Sequence, residues 1–170
     1  MMCAIFVGAF FLLAPYQVAQ AQGNEYVWKE AGVAARMPGT PVQARNGITL
    51  DDYEIKSTGG DERYMLVYEP MSGKYVDDAK WQFDRIEGNF VRAYVRDYTN
   101  TLVTKTDIIL DGNPGREIRI RWKANKRLMV LRTYWVKLPL RLLTAVADVD
   151  DSSAEPRVAA FLNSLRLLKP

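Results

Sequence analysis

The stretch Leu128–Val136 most constrains how this chain can fold. In an extended strand Leu128, Val130, Tyr134 and Val136 fall on one side, and Met129, Leu131 and Trp135 fall on the other. A strand that is apolar on both sides is stable only when both faces are covered, so it belongs in the middle of a sheet with a layer on each face. The segments around it read as its neighbours. Thr101–Leu110, Arg116–Lys123, Arg127–Lys137 and Leu140–Ala147 are four strand patterns in succession. Ala124-Asn125-Lys126 joins the second to the third, and Leu138-Pro139 sits in the last turn.

The corner between the first two of these strands is Asp111-Gly112-Asn113-Pro114-Gly115. Pro114 pushes Asn113 out of the helical region, and the glycines tolerate tight-turn geometry, so Gly112, Pro114 and Gly115 are read as structural turn residues. A glycine-rich phosphate loop would need a helix N-terminus after it. Here Ile118, Ile120 and Trp122 alternate instead with Glu117, Arg119 and Arg121, a strand with one buried and one wet face.

Upstream, a short flexible mature terminus is expected over Gln22–Tyr26, then strands at Trp28–Met37, about Ile48–Lys56 and Arg63–Glu69. Ser57-Thr58-Gly59-Gly60-Asp61 reads as the hairpin turn between the last two. The period then changes. Asp77 or Asp78 caps a helix running to about Tyr94, with Ala79, Phe83, Ile86 and Phe90 on one face and Gly88-Asn89 as an early end or a kink. A second helix closes the chain: Ser152 and Glu155 form a capping-box pattern, Pro156 sits in the first turn, and Val158, Phe161, Leu162 and Leu165 make its buried stripe. The pattern is α+β, a mainly antiparallel sheet of about six to seven strands with two helices packed on it.

At 170 residues with 48% hydrophobic content, the chain can bury one core, and no linker or repeat divides it. Residues 22–170 are expected to form a single domain. Residues 1–21 differ: they carry no charged side chain, run apolar from Ile5 to Ala14, break at Pro15 and end in Ala19-Gln20-Ala21. This is the layout of a secretory signal peptide cut after Ala21, although its start has no Lys or Arg. The apolar run is shorter than the roughly 18 to 20 residues a spanning helix needs, so no membrane span is expected in the mature chain. A secreted or periplasmic location follows.

There is no histidine, and the one cysteine, Cys3, lies inside residues 1–21. Ser-His and Cys-His nucleophile pairs are therefore excluded, as are the common zinc, haem and copper sites. The acidic clusters Asp51-Asp52, Asp77-Asp78 and Asp148-Val149-Asp150-Asp151 do not follow the EF-hand pattern and read as turns and caps. Neither a cofactor nor a metal is expected. A pair of carboxylates could serve a hydrolase if the fold brought them together, but the chain is expected not to be an enzyme. Trp28, Trp81, Trp122 and Trp135 are all expected in the core.

Charge is unevenly placed. Residues 22–110 carry 11 basic and 14 acidic side chains, whereas 116–141 carry 9 basic side chains and only Glu117. Arg119 and Arg121 share one strand face, and Arg132 falls beside them if neighbouring strands pair antiparallel. This face has two readings. It is either an anion-binding surface built on Arg119, Arg121 and Arg132, or a solvated face whose charges meet acids of the first half such as Asp51, Asp52 and Glu54. Nucleic acid is not an expected partner, because no aromatic-rich recognition motif accompanies the arginines.

Gly32-Val33-Ala34-Ala35-Arg36-Met37-Pro38-Gly39-Thr40-Pro41, Asp111-Gly112-Asn113-Pro114-Gly115-Arg116-Glu117, Arg132-Thr133-Tyr134 and Phe161-Leu162-Asn163-Ser164-Leu165 together resemble secreted bacterial domains of the PsbP-like type. Leu165 stands where that family usually has Phe. The resemblance implies an αβα sandwich around an antiparallel sheet, and a non-enzymatic role. In that family the extrinsic photosystem II subunit helps retain inorganic ions, and a eukaryotic relative in fold binds a small GTPase. The motifs are structural and carry no functional residue onto this chain. The resulting expectation is an accessory or binding domain whose partner is another envelope protein or an anionic ligand.

Overall fold

Strand parity divides the molecule into two cores. The computed structural model describes residues 23–45, 53–59, 62–71, 78–96, 99–137 and 140–169. Ten strands occur among them: β1 Gly23–Trp28, β2 Val33–Pro38, β3 Val42–Arg45, β4 Tyr53–Gly59, β5 Glu62–Pro70, β6 Thr101–Leu110, β7 Asn113–Trp122, β8 Leu128–Lys137, β9 Leu140–Val149 and β10 Arg166–Leu167. The helices are α1, Ala79–Tyr94, and α2, Glu155–Asn163. Seven strands form one antiparallel sheet in the order β3-β4-β5-β9-β8-β7-β6, and β1-β2-β10 form a small second sheet.

β8 lies between β7 and β9, as its two apolar sides require. Leu128, Val130, Tyr134 and Val136 join the larger core with Trp28, Val33, Met37, Val158, Phe161 and Leu162, which come from the small sheet and α2. Met129 and Leu131 face the other way, into the core that Ile118 and Ile120 of β7 make with Phe90 of α1. The result is a sandwich: α1 covers one face of the large sheet, and α2 with the small sheet covers the other.

Several local expectations change. Strand β1 already begins at Gly23, where a flexible terminus was expected as far as Tyr26. The strand anticipated over Trp28–Met37 is broken by a turn in which the Gly32 amide donates to the Lys29 carbonyl at 3.0 Å, because Gly32 has φ +59°. Ser57, Thr58 and Gly59 belong to β4, so the turn after them is shorter than expected. Helix α1 passes straight through Gly88 and Asn89, and Asp78 caps it by accepting the Trp81 amide at 2.8 Å. The capping box at α2 does not form: Ser152–Ala154 is a turn of 3₁₀ helix, α2 has no side-chain cap, and Glu155 is used elsewhere. Trp81 is 40% exposed, with the Arg85 guanidinium 5.8 Å from its ring centre, so it is not a core residue. Residues 1–21, Ile48–Leu50, Asp51, Asp52, Gly60, Asp61, Asp77 and the Leu138-Pro139 turn lie outside the described residues.

The β6–β7 corner is tighter than the run of turn-forming residues suggests. Leu110 pairs with Asn113, leaving a two-residue turn of Asp111 (φ +49°) and Gly112 (φ +78°). Two positive φ angles match the right-handed twist of a hairpin. Pro114 and Gly115 are already in β7. Gly115 lies opposite Tyr134, and a Cβ there would stand 2.6 Å from the Thr133 carbonyl oxygen, with the Tyr134 ring closer still. Tyr134 therefore lies across the space that a side chain at 115 would need.

Gly115→Val is expected to lower stability by about 3 kcal/mol through overpacking against Tyr134. Gly112→Ala, which is strained but meets nothing nearby, is expected to cost about 1 kcal/mol. Urea unfolding of the two variants tests this order, and equal losses would disprove the close-approach explanation.

Candidate functional site

β7 and β8 bring Arg119, Arg121 and Arg132 to the sheet face beneath α2. Glu117 accepts from Arg119 Nε at 2.6 Å through Oε1 and from Arg132 Nε at 2.6 Å through Oε2. Glu155, the first residue of α2, accepts from Arg119 Nη1 at 2.6 Å and from Arg121 Nη2 at 2.9 Å. Arg132 Nη1 reaches Asn163 Oδ1 at the other end of the helix, at 2.9 Å. The three arginines thus form a lattice that clamps α2 to the sheet.

Their acidic partners are Glu117 and Glu155. Asp51 and Asp52 lie outside the described residues, and Glu54 belongs to β4, far across the sheet order. The face expected to be wet is covered in part: the Glu117 side chain is 10% exposed, whereas that of Arg121 is 42% exposed. Burial pushes the Glu117 carboxyl up, but the bonds from Arg119 and Arg132 outweigh it and hold the group below the ordinary glutamate range. That is the opposite of what a proton-donating acid needs. The carboxylates brought together here neutralise arginines and serve as structural counter-ions.

The other charged groups of α2 act in the same way. Arg157 Nε donates to Glu62 Oε1 at 3.0 Å, and Glu62 Oε2 also accepts from the Tyr64 hydroxyl at 2.6 Å. Burial and this carboxylate raise the Tyr64 hydroxyl far above its ordinary value. Asp148, from the acidic run considered for calcium, is gripped by Arg127 at 2.6 and 2.9 Å. The role of Glu155 was not legible in the sequence, because its spacing from Ser152 reads equally well as a cap.

A different surface is exposed at the end of the sheet. Among the described residues β6 has no strand on its outer side, and it is ten residues long. Leu102 is 52% exposed and Ile109 76% exposed near its two ends, with Lys105 and Asp107 between them. Lys105 pairs with Glu87 of α1, and a groove of about 520 Å³ runs between α1 and β6 past Val91 and Leu102. A strand edge with no described neighbour, beside apolar side chains, suits the addition of an extended segment.

The architecture is an α+β sandwich with a PsbP-like fold. Among solved structures it is similar to the Saccharomyces cerevisiae Ran-binding protein Mog1p, with a TM-score of 0.50 and 8% identity over 88% of this chain and 97% of that one. At that identity the likeness describes the fold alone. No family model matches the chain, and no curated protein matches it.

Replacing Glu117 with Leu leaves two guanidinium groups without their shared carboxylate and is expected to cost about 3 kcal/mol. The depressed Glu117 value also gives the sign of a pH effect: its contribution is complete above the ordinary value of about 4.3 and is lost as pH falls through the lower folded value. Unfolding free energies measured from neutral pH downward should therefore show a shallower acid limb in Glu117→Leu than in the parent. Parallel acid limbs would show that Glu117 does not carry this dependence.

Proposed function

We propose that this chain is an exported, non-enzymatic accessory domain that binds another protein along the outer edge of β6. The observation that carries the binding reading is the ten-residue edge of β6, which has no neighbouring strand on its outer side among the described residues and exposes Leu102 and Ile109 on its two faces. Natural sheets usually blunt such edges with charge, covering elements or short strands. Here the charges at Lys105 and Asp107 occupy only the middle of the strand. An extended partner segment could hydrogen-bond the backbone of β6 and place apolar side chains against Leu102 on one face and Ile109 on the other. The similar yeast structure is of a protein described as Ran-binding, which agrees with a fold that serves protein recognition. Export rests on Met1–Ala21, and N-terminal sequencing of the exported protein is expected to begin at Gln22.

Anion binding at Arg119, Arg121 and Arg132 is the weaker reading. An anion there would compete with Glu117 and Glu155, which already occupy the guanidinium donors. Photo-cross-linkers placed at Leu102 and Ile109 in the native envelope test the preferred reading. They are expected to give one dominant adduct that a cross-linker at exposed Lys123 does not give. Ile109→Lys should abolish the adduct at Leu102 while leaving the unfolding midpoint unchanged. Diffuse adducts, or the same adduct from Lys123, would overturn it.

A further inference from the structure

Strand β6 is complementary to itself when laid antiparallel. It runs Leu102-Val103-Thr104-Lys105-Thr106-Asp107-Ile108-Ile109-Leu110 after Thr101, so Thr106 stands between a cation and an anion, with apolar residues farther out on each side. Its register on β7 fixes which peptide groups point outward. The Lys123 amide donates to the Asn100 carbonyl at 2.9 Å, in phase with the pairs Leu102↔Arg121 and Thr104↔Arg119. Bonded and non-bonded pairs alternate along an antiparallel ladder, so the even-numbered residues bond to β7 and the peptide groups of Val103, Lys105, Asp107 and Ile109 are directed away from it.

A two-fold axis between two β6 edges must bring some residue opposite its own copy, and the charges select which one. With Lys105 on the axis two lysines are opposed, and with Asp107 on it two aspartates, both unfavourable cross-strand pairs. Moving the axis to Thr104 or Ile108 sets these charges against uncharged neighbours. With Thr106 on the axis, Lys105 of each copy lies opposite Asp107 of the other, Val103 lies opposite Ile109, and Leu102 lies opposite Leu110. Every opposed pair then matches in charge or polarity, apart from Thr104 against Ile108. The Lys105 and Asp107 side chains are 52% and 83% exposed, and each has an opposite charge behind it, Glu87 for the lysine and Arg116 at 3.2 Å for the aspartate. Pairing would extend them into two rows of alternating charge.

Helix α1 leaves room for this. It is seated inboard of the edge, where Phe90 shares a core with Ile118 and Ile120 of β7 and Met129 and Leu131 of β8. The two β7 strands would stand three strand spacings apart, about 14 Å, against the roughly 10 Å of two packed helices.

On the reading of β6 as the binding edge, we propose that its partner is a second copy of this chain, with the two β6 strands paired antiparallel about Thr106 into one continuous sheet. The interface is isologous and closes on itself, so association stops at the dimer.

Cysteine substitution in the full chain, in a Cys3→Ser background, tests the register. Opposed residues at a non-hydrogen-bonded position have Cα atoms about 4.5 Å apart, within reach of a disulfide. Thr106→Cys should therefore oxidise to a covalent dimer, whereas Thr104→Cys, whose two copies would stand roughly 14 Å apart, should not. Charge changes give an independent decision. Lys105→Glu and Asp107→Lys each oppose like charges twice and should weaken dimerisation at least about tenfold in sedimentation equilibrium. An equimolar mixture of the two variants restores opposite charges at both positions and should form a heterodimer as tight as the parent dimer. Thr104, Lys105, Thr106 and Asp107 are all exposed, so none of these variants replaces a buried residue. Three outcomes would overturn self-pairing: a parent chain that is monomeric at about 0.5 mM, equal oxidation of Thr104→Cys and Thr106→Cys, or a mixture no tighter than its components. Photo-adducts at Leu102 and Ile109 separate this from the edge reading itself. Adducts of twice the chain mass support both, one dominant foreign chain overturns self-pairing while the β6 edge stands, and diffuse adducts overturn both.

Discussion

Burial of β8 on both faces is the constraint from which the rest of the architecture follows. Its even-numbered apolar residues need one cover and its odd-numbered residues need another, so a single layer of helix could not stabilise it. Helix α1 supplies one cover through Phe90, and α2 with the β1-β2-β10 sheet supplies the other through Phe161, Leu162, Trp28 and Met37. The Gly115–Tyr134 contact serves the same requirement. Where the two strands meet, β7 gives up its side chain so that the ring from β8 can lie across it.

The second cover must rest on a strand that carries charge. β7 presents Glu117, Arg119 and Arg121 to α2, and a helix laid over unpaired arginines would bear a heavy desolvation cost. The cost is offset within the layer itself, by Glu117 on the same strand and by Glu155 at the helix N-terminus, where a carboxylate also favours the helix dipole. Three arginines of a run that resembles a ligand surface in one dimension are thereby drawn into ion pairs beneath the helix. The guanidinium heads meet acids.

The parts of the fold legible in the sequence are those where one physical requirement dominates. The meander from β6 to β9, the cap at Asp78 and the buried stripe Val158, Phe161, Leu162 all follow from periodicity and local hydrogen bonding. What could not be read depended on pairing between distant segments. β1 becomes a strand because it pairs with β2, and β10 is two residues held by β2. Alternation in β7 was read as one wet face, yet alternation records only that the two faces differ and not what covers each one. The lattice was half visible: three arginines could be placed near one another, but Glu155 had a competing explanation as a cap.

A sheet whose middle strands are covered on both faces leaves its periphery for recognition. Among the described residues the two faces of the large sheet are occupied by helices and the small sheet, and strand edges and strand ends stay open. β6 offers the first, with backbone groups facing outward beside Leu102 and Ile109. The turn end offers the second, where the Asp111–Gly112 corner, the start of β9 and the tail after α2 converge around an open cleft. These two surfaces differ in chemistry, one backbone-rich and apolar, the other cationic with an apolar wall. The tight Asp111–Gly112 turn borders both: it ends the β6 edge and supplies the carboxylate that holds Leu167 at the side of the cleft. The hairpin corner therefore sets strand register and also determines where each of the two exposed surfaces begins.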